Sequence, residues 1–503
     1  MARLRHLVVV VPGIGGSILQ TPRGAVEWNQ SRRRLAAALT RPDRLDLDRA
    51  PDLVPVDLLP DITLIGPYVL PGYDRLVRQI VNRFDDVRVD TARPDRAPDP
   101  YADLVLFPYD FRHSIRHAAE RLGADVKARL DGELPGARRR RVIVVAHSMG
   151  GLVARYWLGP GGGAAHCEAL ITLGTPHRGA PKALDYLVNG IKVGPKRLTG
   201  LTRVLRGWPS AYELMPRYRA VGSSDGGATL YPRDLTGLPD LPGFAKAAEA
   251  AFEVHRDIED AWRDLAGRAE SPQLAAVFGR GHATPQRALL AGTAVTVTKR
   301  AAPWLPNPHW HGDGSVPAIS AIPIEAEDDL NVRYPAPERH LALGSAPTVL
   351  DLLAEYTDEP LHAVRGEAMN RPWLGLDLDE TLPFGHPVGL GITFNPGEAS
   401  GEEAPRPEKP GEDTKVRVRL RPVGPGSTAL TPTRWQDAVR NSDGVSWHAE
   451  IEPPPLGTHR VEVEATGVPG TGRLTAGDIL GVVDLGAVDP GALDLADGTE
   501  PDA

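Results

Sequence analysis

Residues 146–150 read Ala-His-Ser-Met-Gly and directly follow the apolar run RVIVV. A serine hydroxyl is a poor nucleophile at neutral pH unless a base takes its proton and an acid holds that base. A serine on a sharp strand-to-helix turn stands clear of its sheet, where such partners reach it. The string has that layout: an apolar strand, a turn at Ser148, then the helix-compatible GGLVARYWL. Small residues are needed two before and two after the serine, because the strand and helix backbones approach closely there. Ala146 and Gly150 supply them, with Ala standing where Gly is usual. The first N–H groups of the following helix lack intrahelical partners and form an anion site. Taken alone, the string also reads as an ordinary strand-turn-helix with a chance serine.

The partners appear downstream in the order nucleophile, acid, histidine. GDGSVP sets Asp313 between two glycines in a tight loop, and ERHLAL sets His340 in a loop before the apolar helical segment APTVLDLLAEY. Asp313 is the expected acid and His340 the expected base. Competitors remain: His147 points from the turn itself, His177 lies in a strand-end loop and can line a pocket, and His309 and His311 precede the acid. Asp328 and Asp329 sit in the solvated acidic run EAEDDLN. Acyl transfer also needs N–H donors for a developing oxyanion. Met149, after the nucleophile, is one expected donor. The loop in VVVVPGIGGSIL supplies the other, with Ile14 as the donor and Gly13, Gly15 and Gly16 allowing close approach. A phosphate loop is the alternative, but no P-loop Lys-Ser/Thr or dinucleotide-binding spacing follows.

These residues need a frame. LVVVV (7–11), ADLVLFPYD (102–110), RVIVVA and EALITLGTP (168–176) read as strands; GYDRLVRQIVNRF (72–84) and SIRHAAERLGADVKARL (114–130) have helical apolar spacing. Such alternation implies a parallel sheet covered by helices. Residues from about 180 to 280 break the rhythm and are expected to form a cap, with Trp208, Tyr212, Leu214 and Met215 clustered in WPSAYELMPRY. The irregular segment 20–70 is a further candidate for the cap. From about 376 to 488 the pattern is alternating: KVRVRLRP turns Val416, Val418 and Leu420 one way and Arg417, Arg419 and Arg421 the other. With PVGLGITF, VSWHAEIE, HRVEVEA and DILGVVDL, this predicts a small antiparallel β-sandwich. The loop at about 395–414 and the acidic tail at 489–503 carry too little apolar content to fold. The α/β unit is therefore expected at 1–375.

A net charge of -8 with interspersed signs excludes a basic nucleic-acid face. The single cysteine, Cys167, excludes an intrachain disulfide. The histidines lack metal-ligand spacing, so neither a metal nor another cofactor is expected. LVVVV is too short for a signal h-region and is stopped by Pro-Gly, so a cytoplasmic location is expected.

VVPGIGGSIL, LLPDITLIGPYVLPGYDRLV, LFPYDFR, AHSMGG, TLGTPHRGAP, WPSAYELMPRY, GDGSVP and RHLAL occur in that order. Together they resemble the lecithin:cholesterol acyltransferase family, in its bacterial branch, over roughly residues 7–355. The resemblance implies an α/β-hydrolase fold with an inserted cap or lid, and acyl transfer from a lipid ester through Ser148, Asp313 and His340. Unlike secreted members, the sequence shows no leader and no cysteine pair to staple a lid, which sets a sterol acceptor aside. The expected partners are a lipid ester and, transiently, a membrane or micelle surface. Water as acceptor gives a lipase or phospholipase, and an alcohol gives a transferase. An esterase for small soluble esters stays open. So does a regulated effector module whose β-sandwich recruits a protein partner.

Overall fold

The computed structural model describes residues 2–29, 41–60, 62–63, 69–70, 72–132, 140–193, 196–223, 229–238, 241–300, 311–358, 372–396, 409–422, 433–468 and 471–483. Its centre is a seven-stranded parallel sheet. The strands are β1 (Leu7–Val11), β2 (Val89–Thr91), β3 (Leu104–Leu106), β4 (Val142–His147), β5 (Cys167–Leu173), β6 (Gln273–Gly279) and β7 (Arg333–Ala336). Their spatial order is β7-β6-β5-β4-β1-β3-β2. The middle strands are unbroken apolar runs because both faces are covered. Leu7, Val9 and Val11 of β1 join one core, and Val8 and Val10 join the other.

Helices α1 (Asp74–Arg83) and α6 (Pro347–Ala354) close one face through Leu76, Ile80, Val349 and Leu352. Helices α2 (Ile115–Asp131) and α3 (Met149–Leu158) lie on the other. Every residue of α3 is buried, which explains why MGGLVARYWL is apolar nearly all round. Helix α5 (Phe244–Leu265) packs beyond it, with Ala248, Ala251, Val254, Ile258 and Trp262 on its buried face. This arrangement fits the α/β-hydrolase expectation.

The segment expected to cap the sheet holds α4 (Pro181–Asn189), short helices at Thr199–Leu205 and Pro209–Glu213, and α5. It does not stop at 280. Val221–Ser223 pairs with Arg287–Ala291, which forms a hairpin with Ala294–Thr298, so inserted chain also follows β6. Among the described residues no helix is long and apolar enough to cross a membrane.

The C-terminal unit starts earlier than 376. β8 (Trp373–Asp377) already pairs with β10 (Val388–Asn395), with Leu374, Gly375 and Leu376 buried in its middle. β10 pairs in turn with β12 (Ser446–Ile451). A second sheet holds β9 (Thr381–Pro383), β14 (Gly472–Val483), β13 (Gly457–Val468) and β11 (Lys415–Pro422), in that order. The two sheets enclose one core that includes Leu390, Ile392, Val418, Trp447, Val463 and Leu480. On the outer face Arg417 and Arg419 of β11 bond Glu464 and Glu462 directly across the strand pair. Of the loop expected at 395–414, residues 397–408 lie outside the described residues, as does the tail after 488; 409–414 form a turn into β11.

Candidate active site

The sequence candidates converge at the carboxyl ends of the central strands, where open α/β sheets place their ligands. Ser148 follows β4 with φ 53° and ψ −125°, a conformation L-residues rarely adopt. Its N–H bonds the Leu173 carbonyl at 2.9 Å. The turn demands a glycine two residues on. A Cβ on Gly150 would sit 2.4 Å from the Pro12 carbonyl oxygen and 2.6 Å from that of Val11.

His340, in the loop after β7, places Nε2 2.9 Å from Ser148 Oγ. Its Nδ1 lies 2.7 Å from Asp313 Oδ2. A carboxylate only accepts, so Nδ1 carries the proton and Nε2 is free to accept the serine proton. The backbone reinforces the pair: the His340 N–H bonds the Asp313 carbonyl at 3.0 Å. Asp313 is 1% exposed. Its Oδ1 accepts the N–H groups of Ser315 at 2.9 Å and Val316 at 2.7 Å. Burial alone would raise this carboxyl's pKa, but the His340 ring and the two backbone donors outweigh it and hold it below the ordinary value. Gly174, at φ 57°, leaves the space for this contact. A Cβ there would lie 2.8 Å from Asp313 Oδ2 and 3.0 Å from His340 Nδ1.

The glycine loop after β1 faces the serine. Gly13 N–H is taken by Tyr73 Oη at 2.7 Å, and Gly16 N–H by the Gly13 carbonyl at 3.0 Å. The Ile14 and Met149 N–H groups have no partner among the described residues. Trp28 Nε1 bonds the Gly15 carbonyl at 2.8 Å and props the loop from behind. Trp28 packs edge-on to Phe111, and Phe111 edge-on to Trp208.

Two further groups join the site that the sequence reading did not assign to it. His147 does not reach Ser148, but its Nε2 lies 3.0 Å from the His340 carbonyl oxygen and its Nδ1 2.9 Å from Tyr73 Oη. Burial, with the neighbouring His340 ring, holds His147 down to about 3, so it is neutral near pH 7. A carbonyl only accepts, so the single proton of His147 sits on Nε2. Nδ1 then accepts from the Tyr73 hydroxyl, whose oxygen accepts the Gly13 N–H. One directed chain of hydrogen bonds thus runs from the glycine loop to the backbone of His340. His147 was visible in the motif. Tyr73 carried no signal, since its role depends on how α1 lies against β1 and β4.

The other candidates lie elsewhere. His177 is buried between Thr172 Oγ1 at 3.2 Å and Arg155 Nη1 at 3.4 Å, in the helix-covered interior. Asp328 and Asp329 are exposed, and Asp329 caps a short helix through the Asn331 N–H. His309 lies outside the described residues, and His311 precedes Asp313 at φ 40°. Trp208, Tyr212 and Met215, weighed above as a pocket wall, pack into the main core, with Leu214 against it. Trp208 Nε1 is spent on the Leu45 carbonyl at 3.0 Å. Among the described residues no group of three His, Cys, Asp or Glu side chains is placed to hold a metal ion.

Comparison with known proteins gives one family. Residues 100–233, which include Ser148, match the lecithin:cholesterol acyltransferase family. A search of curated proteins returns no match. Among solved structures, the mature form of the Bacillus licheniformis lipase BlEst2 aligns at 13% identity and TM-score 0.32, covering 70% of this chain and 92% of that one. Its propeptide form aligns at 13% identity and TM-score 0.31, covering 94% and 93%. The endo-beta-1,4-mannanase from Thermotoga petrophila aligns at 10% identity and TM-score 0.16, covering 75% and 73%.

Proposed function

We propose that this chain, LCAT-like over residues 100–233, is a serine-dependent acyl hydrolase or O-acyltransferase acting on lipid esters through an acyl-enzyme. The observation that carries the reading is the unbroken line Ser148 Oγ, His340 Nε2, His340 Nδ1, Asp313 Oδ2, at 2.9 and 2.7 Å, ending on a strained serine. In this reading Ser148 Oγ attacks the ester carbonyl while His340 Nε2 takes its proton. Asp313 keeps Nδ1 protonated and stabilises the imidazolium that forms. The carbonyl oxygen becomes an anion between the Ile14 and Met149 N–H groups, each such donor contributing about 10²- to 10³-fold in rate. His340 then gives its proton to the leaving alkoxide. Water or an alcohol, deprotonated by the same histidine, frees the acyl group in the second half. The apolar substrate class rests on the family match to the segment that holds the nucleophile.

Labelling with a fluorophosphonate, followed by a lipid-ester panel with and without an alcohol acceptor, tests this. Wild type is expected to label at Ser148 and to release or transfer fatty acid. Ser148→Ala is expected to do neither while keeping its fold. An alanine variant that labels at the wild-type rate overturns the assignment. A smooth rate curve through the aggregation point of a long-chain ester, with short esters preferred, turns the reading towards a small-ester esterase.

A further inference from the structure

We propose that Glu380, contributed by the C-terminal β unit, is a positioning residue for the catalytic loops, so that this unit is a working part of the active site. The inference rests on the Ser148–His340–Asp313 reading and extends it.

Glu380 lies between β8 and β9, and its carboxylate meets three side chains of the α/β unit. Both oxygens are 3.2 Å from Lys182 Nζ. Oε1 is 3.3 Å from Ser315 Oγ and 3.6 Å from Arg339 Nη2. These partners are not scattered. Ser315 is two residues after Asp313 and donates its N–H to the Asp313 carboxylate. Arg339 immediately precedes His340, and Lys182 opens α4 and also bonds Ser315 Oγ at 2.9 Å. One carboxylate therefore ties the loop of the acid to the loop of the base.

A second set of contacts fixes the same seam. Arg339, almost wholly buried, places Nη1 3.0 Å from Asp478 Oδ2 of β14 and donates to the Leu378 carbonyl at 3.3 Å. His282, fully buried beside Asp313, donates Nε2–H to the Pro337 carbonyl at 2.8 Å and accepts the Leu376 N–H of β8 at 3.3 Å. The charged groups facing Glu380 are thus Lys182 and Arg339 as cations and Asp478 as the other anion, with the His340 ring nearby. Glu380 supplies most of the negative charge here, because burial pushes the Asp478 carboxyl towards its neutral form. Loss of Glu380 leaves Lys182 and Arg339 with a single anion next to an imidazole that must become positive during the reaction. The α/β unit already has its own core, so the β unit is not needed to complete a hydrophobic interior. Besides the packing of Trp373 against Arg280 and Gly281, it adds polar contacts at the loops that carry two of the proposed catalytic groups.

The test compares the full-length wild type with Glu380→Gln, Glu380→Ala and Glu380→Asp. Readouts are the fluorophosphonate labelling rate, kcat and KM on a short soluble ester, the pH profile of kcat/KM, and Tm. Glu380→Gln keeps the shape and removes the charge. It is expected to lower kcat about 10- to 100-fold, as a catalytic group displaced by less than 1 Å does. KM should stay near wild type and the acid limb of the profile should move to lower pH. Glu380→Asp should recover part of the rate. A purely structural role would lower Tm without moving the limb. If Glu380→Gln labels as fast as wild type with an unmoved limb, the proposal is wrong while the serine reading stands. If wild type itself does not label at Ser148, both fall together. If Glu380→Ala does not fold, Glu380→Gln and Glu380→Asp decide.

Discussion

Tyr73→Phe should damage the proposed activity although Tyr73 touches none of the three proposed catalytic side chains. The hydroxyl is the middle link between the Gly13 N–H, at 2.7 Å, and His147 Nδ1, at 2.9 Å. Phenylalanine keeps the ring and deletes both bonds, leaving a buried amide and a buried imidazole nitrogen without partners. Each such orphan costs about 1–3 kcal/mol. Tyr73 is half-buried, so water can re-enter, and about 2 kcal/mol in total is the sounder figure. In an α/β unit of this size that lowers Tm by about 2–3 °C. The rate should suffer for a different reason. Gly13 precedes Ile14, the proposed oxyanion donor, so an untethered loop forfeits part of the about 10²- to 10³-fold that a donor contributes, giving a fall in kcat of about 10- to 50-fold. The assay is kcat and KM on a short soluble ester with Tm, for Tyr73→Phe, His147→Ala and the double variant. Because the two side chains form one chain, the Tyr73 effect should shrink once His147 is gone. Wild-type kcat in Tyr73→Phe, or effects that add fully in the double variant, would refute the network.

Gly174→Ala should lower kcat by about 10²-fold or more, since its methyl would press into the Asp313–His340 contact, and measuring fluorophosphonate uptake in the folded variant checks it. Acid should destabilise the fold well above the pH where carboxylates titrate. Burial holds His147 at about 3 and His255 and His282 at about 4, so the unfolded chain binds their protons first. Stability is therefore full above about pH 6.5 and falls as pH drops towards 4, by about 3 kcal/mol per histidine. Denaturant midpoints across pH 4–8 test this, and a flat profile contradicts it. Asp478→Asn has the opposite sign. Burial, only partly offset by Arg339, pushes the Asp478 carboxyl up to about 6, so the native state holds this proton more tightly and stability is lost as pH rises from about 4 to 6. The asparagine variant should match wild type near pH 4.5 and exceed it at pH 8 by on the order of 1–3 kcal/mol; equal Tm values at both pH values would dismiss the argument.

Much of the frame was legible because it is written locally. LVVVV and VIVVAH are apolar without alternation, which only a strand covered on both faces tolerates, and they became the central pair β1 and β4. KVRVRLRP shows the reverse pattern and became a strand with one buried face. Ser148 was readable because its turn constrains its own neighbours, Ala146 and Gly150. What stayed illegible is non-local. WLGLD is too short to announce a strand, so the C-terminal unit was expected to begin a few residues late. The cluster in WPSAYELMPRY has the composition of a pocket wall and of a core alike. Only the packing of Trp208 against Phe111 tells them apart.

The same distinction explains why the supporting residues escaped notice. A nucleophile, an acid and a base have restricted types and a required chain order, so three candidate positions could be picked from 503. A residue that positions them has no such restriction. Tyr73 holds a glycine loop with a hydroxyl that other side chains also carry, and Glu380 could be any carboxylate within reach of Lys182, Ser315 and Arg339. Their identity follows from contacts between elements that are far apart in sequence: α1 against β1 and β4, and the β8–β9 turn against the loops after β6 and β7. These contacts also bear most directly on rate, because an imidazole that must meet a serine on one side and a carboxylate on the other tolerates little displacement. The Ser148 turn can be moved to another chain as a motif. The placement of His340 cannot, because it depends on the His147–Tyr73 chain on one side and on the β unit on the other.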